Sequence, residues 1–276
     1  MPSFAKVVAL AAALVAGSLA STAGATNYSL WIHGRSSGTP SGNSYWAESN
    51  GGNAATGVNV VDVNYNGSQH ISQSNPTVVS YLNAYCTGGN SCYIQCHSAG
   101  CAQIGYAEAL HPGAWNITWV LAGGSAAGGS ELAGNLAYFF TGSAIDLDLA
   151  VGTMRGMYNH DVVGDDIAGY VYNYLGGDYA SLTTCLFPGG CLFGSGANDS
   201  AVAFHSSGHY RSAGTYEKDG ANGGAGGNWW DYSQPLFVDS SDGSTGHCVK
   251  SSYPCQSGTM GGIMGVVSGT ASAYNR

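Results

Sequence analysis

Cys96-His97-Ser98-Ala99-Gly100 is the segment of this chain whose residue types and spacing are best suited to covalent chemistry. It follows an apolar extended run and precedes residues at helical spacing, so Ser98 falls where a strand ends and a helix begins. A serine on such a turn is held in strained geometry, which requires small residues two positions before and two after so that the chain can pass itself closely. Cys96 and Gly100 occupy those positions. The turn also aims the helix N-terminus and the Ala99 amide at any negative charge forming beside the Ser98 oxygen. A second element is His33-Gly34-Arg35, after the first extended run of the chain. Gly34 lets the Arg35 N–H turn inward, where it and the Ala99 N–H make a two-donor oxyanion hole, while His33 braces the loop.

The elements that must position these groups are legible as periodicity. Residues 28–33 (YSLWIH), 58–65 (VNVVDVNY), 92–97 (CYIQCH) and 117–122 (ITWVLA) are short, rich in β-branched or aromatic residues and bounded by Gly or Asn. Residues 75–85 and 99–110 carry apolar side chains at helical spacing. The order β-α-β-α-β implies a parallel sheet with helices packed on both faces, joined by right-handed crossovers. In such sheets the chemistry gathers at the carboxyl ends of the strands. Residues 125–168 are small, Gly-rich and acidic, 169–175 (GYVYNYL) read as another strand, and 176–234 read as loop. A last strand near 235–240 and a short helix near 259–267 follow. No linker, charge run or repeat divides the chain, so residues 26–276 are expected to form a single domain with long loop insertions.

With these pieces in place the sequence resembles the α/β-hydrolase superfamily, and within it the secreted bacterial lipases and esterases. The resemblance rests on WIHGR at residues 31–35, the elbow CHSAG at 96–100, GGSELAG at 128–134, similar to a GSE-type segment, and GANDSAV at 196–202, similar to the segment that carries the lipases' catalytic acid. Cys96 departs from the usual first elbow glycine, Ser200 stands where the lipases have Gly, and Ala126-Ala127 replaces a Pro-His pair. The resemblance implies an α/β-hydrolase fold and a serine hydrolase that cleaves carboxylic esters through a Ser-His-Asp triad, with no cofactor and no metal.

A serine hydroxyl needs a histidine to take its proton, and that imidazole needs a carboxylate to orient it. The chain order in this superfamily is serine, acid, histidine. Asp199 is the favoured acid, with Asp161 the alternative and Asp165 or Asp166 its near neighbours. His247, in the loop SSDGSTGHC, is the favoured base, and His209 the alternative. His205 and His209 lie too close behind Asp199 to arrive from a different strand end, and His70, His111 and His160 read as surface or capping groups. Asp239 and Asp242 are too few carboxylates to argue a calcium site.

Composition bounds the rest. The 276 residues include 44 Gly and only 8% charged side chains, with a net charge of -9. That charge excludes a phosphate-tracking nucleic-acid binder, and the 44% hydrophobic content argues against disorder. Residues 1–25 read as a secretory signal peptide: Lys6 gives the positive start, residues 7–16 the apolar run, and Ala23-Gly24-Ala25 the cleavage site. The expectation is a secreted, extracellular monomer without stable membrane insertion. In that compartment eight cysteines usually form disulfides; they allow 105 pairings, and the preferred pattern closes small loops between the near neighbours Cys86 and Cys92, Cys96 and Cys101, Cys185 and Cys191, and Cys248 and Cys255. The acidity and the aromatic pair Trp229-Trp230 suit a neutral, apolar ester substrate. A polyester depolymerase with the same triad, and a non-catalytic secreted binding protein on a hydrolase fold, are the alternatives.

Overall fold

The computed structural model describes residues 24–39, 58–158, 170–174, 199, 201–202, 204–207 and 247. Five parallel strands form one sheet in the order β2-β1-β3-β4-β5. They are β1 (Asn27–Ile32), β2 (Asn59–Val63), β3 (Ser91–His97), β4 (Ile117–Gly123) and β5 (Tyr170–Tyr174). The sequence-predicted strands coincide with them to within two residues at each end. Six helices accompany the sheet among the described residues: α1 (Ile71–Tyr85), α2 (Ala99–Leu110), α3 (Asn135–Thr141), α4 (Ile145–Asp148), α5 (Val151–Met154) and α6 (Phe204–Ser207). This is the expected α/β architecture, a parallel central sheet with flanking helices.

The central strands are mostly apolar and buried on both faces, with Ser29 and Gln95 hydrogen-bonded to each other inside. Leu30, Ile32, Ile94, Cys96, Val120 and Ala122 are fully buried and share one core with Val78 and Leu82 of α1 and Ile104 of α2. Both crossovers, β2 to β3 through α1 and β3 to β4 through α2, run the same way across the sheet. Right-handed connections therefore put α1 and α2 on one face. There the Asn75 side-chain amide donates to the Gln103 carbonyl at 2.8 Å.

Helix α1 begins at Ile71, four residues before the expected start at 75, and carries Pro76 inside it. Its first turn is held by tertiary contacts that periodicity does not encode. The Ile71 N–H donates to Asp148 Oδ2 at 2.7 Å, so an acid from α4 caps the helix in place of a local side chain. Helices α3, α4 and α5 occupy a stretch expected to be loose, being too short to establish a period. They enclose a second buried cluster of Ile71, Ala99, Ala126, Ile145, Leu149 and Val202.

The strand order reverses direction between β1 and β3, since β1 connects to β2 on one side while β3 and β4 continue on the other. Such a switch point opens a crevice at the carboxyl ends of the strands. Ile32 pairs with Cys96, which sets the loop from His33 to Arg35 beside Ser98.

Candidate active site

Ser98 is the only non-glycine residue with positive φ among those described, at φ 54° and ψ −126°. This is a sparsely populated conformation that costs on the order of 1–3 kcal/mol and persists because its surroundings over-determine it. The Ser98 N–H donates to Gly123 O at 3.0 Å, the Ala126 N–H to Ser98 O at 3.1 Å, and the Cys101 N–H to Ser98 O at 3.1 Å. A Cβ on Gly100 would lie 2.4 Å from His33 O and 2.6 Å from Ile32 O, so glycine is required where α2 starts against the end of β1. At the first elbow position Cys96 fits because its side chain is consumed by a disulfide to Cys101, which ties the strand end to the first helical turn. A second disulfide joins Cys86 to Cys92. Both pairings match expectation; Cys185, Cys191, Cys248 and Cys255 lie outside the described residues.

Asp199 and His247 meet beyond the end of β4. His247 Nδ1–H donates to Asp199 Oδ2 at 2.6 Å, and the His247 N–H donates to Asp199 O at 2.9 Å. Asp199 Oδ1 accepts the N–H groups of Ala201 at 3.0 Å and Val202 at 2.7 Å, an Asx turn within its own segment. With Nδ1 protonated toward the carboxylate, Nε2 keeps its lone pair and can take a proton. Asp199 is 1% and His247 5% exposed, so the pair is shielded from competing water. Gly124, at φ +51°, makes room for it: a Cβ there would lie 3.0 Å from both Asp199 Oδ2 and His247 Nδ1. The GSE segment anchors the acid-bearing chain, with Ser130 Oγ donating to Ala201 O at 2.6 Å. Ser206 Oγ also donates to Glu131, and the Gly128 N–H donates to Ser206 O at 2.9 Å.

His97, between the elbow cysteine and Ser98, was not singled out by sequence reasoning. Its ring is fully buried, and Nε2–H donates to the His247 carbonyl at 2.6 Å while the two rings pack 4.6 Å apart. Burial, reinforced by the neighbouring His247 and His33, holds its pKa well below 6.5, so the ring is neutral. His33 has Nδ1 2.7 Å from Gly34 O and Nε2 3.0 Å from Tyr65 O, and stacks on Tyr65. Two facing carbonyls favour an imidazolium, but burial outweighs them and pushes the pKa down to about 4. The neutral ring donates to one of them. Tyr65 Oη donates back to His33 O at 2.5 Å, so His33 braces the loop as expected.

Ser98 and His247 line one pocket of about 340 Å³ with Arg35, and its walls include Ala126, Leu132, Ala137 and Val202. Ala99 opens α2, so its N–H has no intrahelical acceptor and is free for a ligand oxygen. Arg35 lines the pocket while its guanidinium is engaged by Asp146. His70 stands at the N-cap position of α1 without a side-chain capping bond, its Nδ1 2.8 Å from Asp148 Oδ1, and His111 stands at the C-cap position of α2, where its backbone N–H bonds the Ala107 and Glu108 carbonyls. Among the described residues no group of His, Cys, Asp or Glu could hold a metal ion. Asp161, Asp165, Asp166, His160, His209, Trp229, Trp230, Asp239 and Asp242 lie outside the described residues, as do residues 1–23 and the strand and helix expected near 235–240 and 259–267.

No protein-family model matches this chain, and no curated protein matches it in sequence. Solved structures do. The mature lipase BlEst2 of Bacillus licheniformis matches 66% of this chain and 79% of its own, at 18% identity and a TM-score of 0.49. A metagenomic carboxyl esterase matches over 56% of this chain at 17% identity and a TM-score of 0.40, and phospholipase PlaB of Legionella pneumophila over 67% at 13% and 0.45. The chain spans 50% of the length of that esterase and 46% of that of PlaB. By their names these three are a lipase, a carboxyl esterase and a phospholipase.

Proposed function

We propose that this protein is a secreted serine hydrolase that cleaves neutral carboxylic esters through an acyl-enzyme at Ser98. The observation that carries the reading is the buried Asp199–His247 hydrogen bond beside the pocket that Ser98 and His247 share. His247 Nε2 takes the Ser98 hydroxyl proton as Oγ bonds to the ester carbonyl carbon, and the Ala99 and Arg35 amides receive the oxyanion. Collapse breaks the bond to the alkoxy group, which leaves as the alcohol with the proton from His247. Water then loses a proton to Nε2 and attacks the acyl carbon, and that proton returns to Ser98 as the carboxylic acid departs. Asp199 holds the tautomer and stabilises the imidazolium. The cysteine pairs Cys86–Cys92 and Cys96–Cys101 support an oxidising destination.

Labelling with a fluorophosphonate tests the nucleophile. Wild type should label and Ser98→Ala should not; unchanged labelling in that variant removes Ser98 from the role. His247→Ala should abolish ester turnover, and full activity there returns the base to His209. A chain inert to the probe would instead be a binding module on a hydrolase fold.

Polyester depolymerisation by the same triad is favoured by one feature. Helix α3 contributes Ala137 and Thr141 to the pocket and leaves Phe139 79% and Phe140 76% exposed. Such a surface suits an insoluble apolar substrate, and release of acid from polymer films tests it.

A further inference from the structure

The loop that carries the Arg35 amide is held from outside the elbow. Arg35 Nε donates to Asp146 Oδ1 at 2.6 Å and Nη2 donates to Oδ2 at 2.9 Å, a bidentate fork. Asp146 lies in α4 and is 3% exposed. Thr141 Oγ1 donates to the same Oδ2 at 2.5 Å, and the Asp146 main-chain oxygen accepts the Gly134 N–H at 2.6 Å. Gly134 is the N-cap of α3 and Thr141 its last residue, so Asp146 grips both ends of the helix that walls the pocket. The hydrogen bond to Asp146 raises the guanidinium pKa above its ordinary value.

We propose that Asp146 is a positioning residue for the oxyanion hole. It acts through the Arg35 fork on the 34–35 peptide, and through α3 on the wall opposite. The inference rests on the serine-hydrolase reading above. Gly34 has no Cβ, so the peptide that follows it is otherwise free to turn. A guanidinium fixed at two in-plane points restricts the directions open to the Arg35 Cα–Cβ bond, and with it the direction of the Arg35 N–H. Lysine cannot replace this, because an ammonium is a point donor without a plane.

Asp148 is a matched control: it shares α4 and is 8% exposed, but it serves His70 and Ile71 instead of Arg35. The test compares Asp146→Asn, Arg35→Lys and Asp148→Asn in the full chain with p-nitrophenyl butyrate as substrate. Asp146→Asn and Arg35→Lys should lower kcat by about 10- to 100-fold with KM little changed, as expected when a transition-state donor is misaligned. Both should weaken an alkyl boronic acid, which mimics the tetrahedral state, by a similar factor. Asp148→Asn should lower the melting temperature and leave kcat alone. Unchanged kcat in Asp146→Asn, or an equal fall in kcat in Asp148→Asn, overturns the proposal. Should Asp146→Asn not fold, Arg35→Lys decides alone, since it leaves the carboxylate and its Thr141 bond in place. Activity persisting in Ser98→Ala defeats the hydrolase reading; a dead Ser98→Ala beside a fully active Asp146→Asn defeats only this inference.

Discussion

Mild acid should destabilise this protein through two buried histidines at the elbow. His33 has its pKa pushed down to about 4 by burial, and His97 is held well below 6.5 by burial and by the adjacent His247. In the unfolded chain each ring titrates near about pH 6.5. Below that pH the unfolded state binds protons that the folded state refuses, so the stability held above it is lost as pH falls. By about pH 5 His33 contributes a loss of about 2 kcal/mol, and His97 adds to it in the same direction, against a typical total of about 5–15 kcal/mol. Asp62, whose pKa burial raises, has the opposite sign. Urea unfolding at several pH values between about 7.5 and 5 measures the loss as a fall in midpoint at constant slope. His97→Gln, which keeps an N–H donor but cannot ionise, should reduce the pH dependence, and adding His33→Gln should nearly remove it. A dependence unchanged in the double variant would refute the assignment to these rings.

Gly100→Ala would place a methyl 2.4 Å from His33 O, where ordinary contacts begin at 3.4 Å. The elbow must then shift by about 1 Å, and kcat should fall by about 100-fold. Turnover close to that of wild type would mean that the elbow yields elsewhere. Replacing Cys96 and Cys101 together by alanine opens a loop with a sequence separation of 5. Thermal or urea unfolding should register a loss of about 2 kcal/mol, and no loss would mean that packing alone holds the elbow. Exchanging Phe139 and Phe140 for serine removes an aromatic surface that is largely exposed. Hydrolysis of soluble butyrate esters should persist, while turnover of emulsions or polymer films should fall; equal effects on both would assign these rings to structure.

The strands and the elbow were legible because each is a local signal. Apolar runs bounded by Gly or Asn mark strands buried on both faces, and a serine between small residues marks the strained turn. What the sequence withheld are groups that act over long separations. Asp148 starts α1 from 77 residues away, and Asp146 engages Arg35 across 111. No periodicity or composition foretells such pairs. His97 stood inside the quoted motif, and its signal was adjacency to Ser98; its partner, the His247 carbonyl, lies 150 residues on.

Asp199 and His247 are joined for a reason that chain order only hinted at. The Asx turn occupies Asp199 Oδ1 with the amides of Ala201 and Val202, so the local chain is already served and Oδ2 is left for a group from elsewhere. A histidine 48 residues later fills that place, with its backbone held by Asp199 O on one side and by His97 on the other. The dyad is therefore clamped through main-chain atoms, leaving one ring nitrogen to carry the proton. A loop histidine acquires a fixed tautomer by this means, and the cost is the burial of His97 beside Ser98.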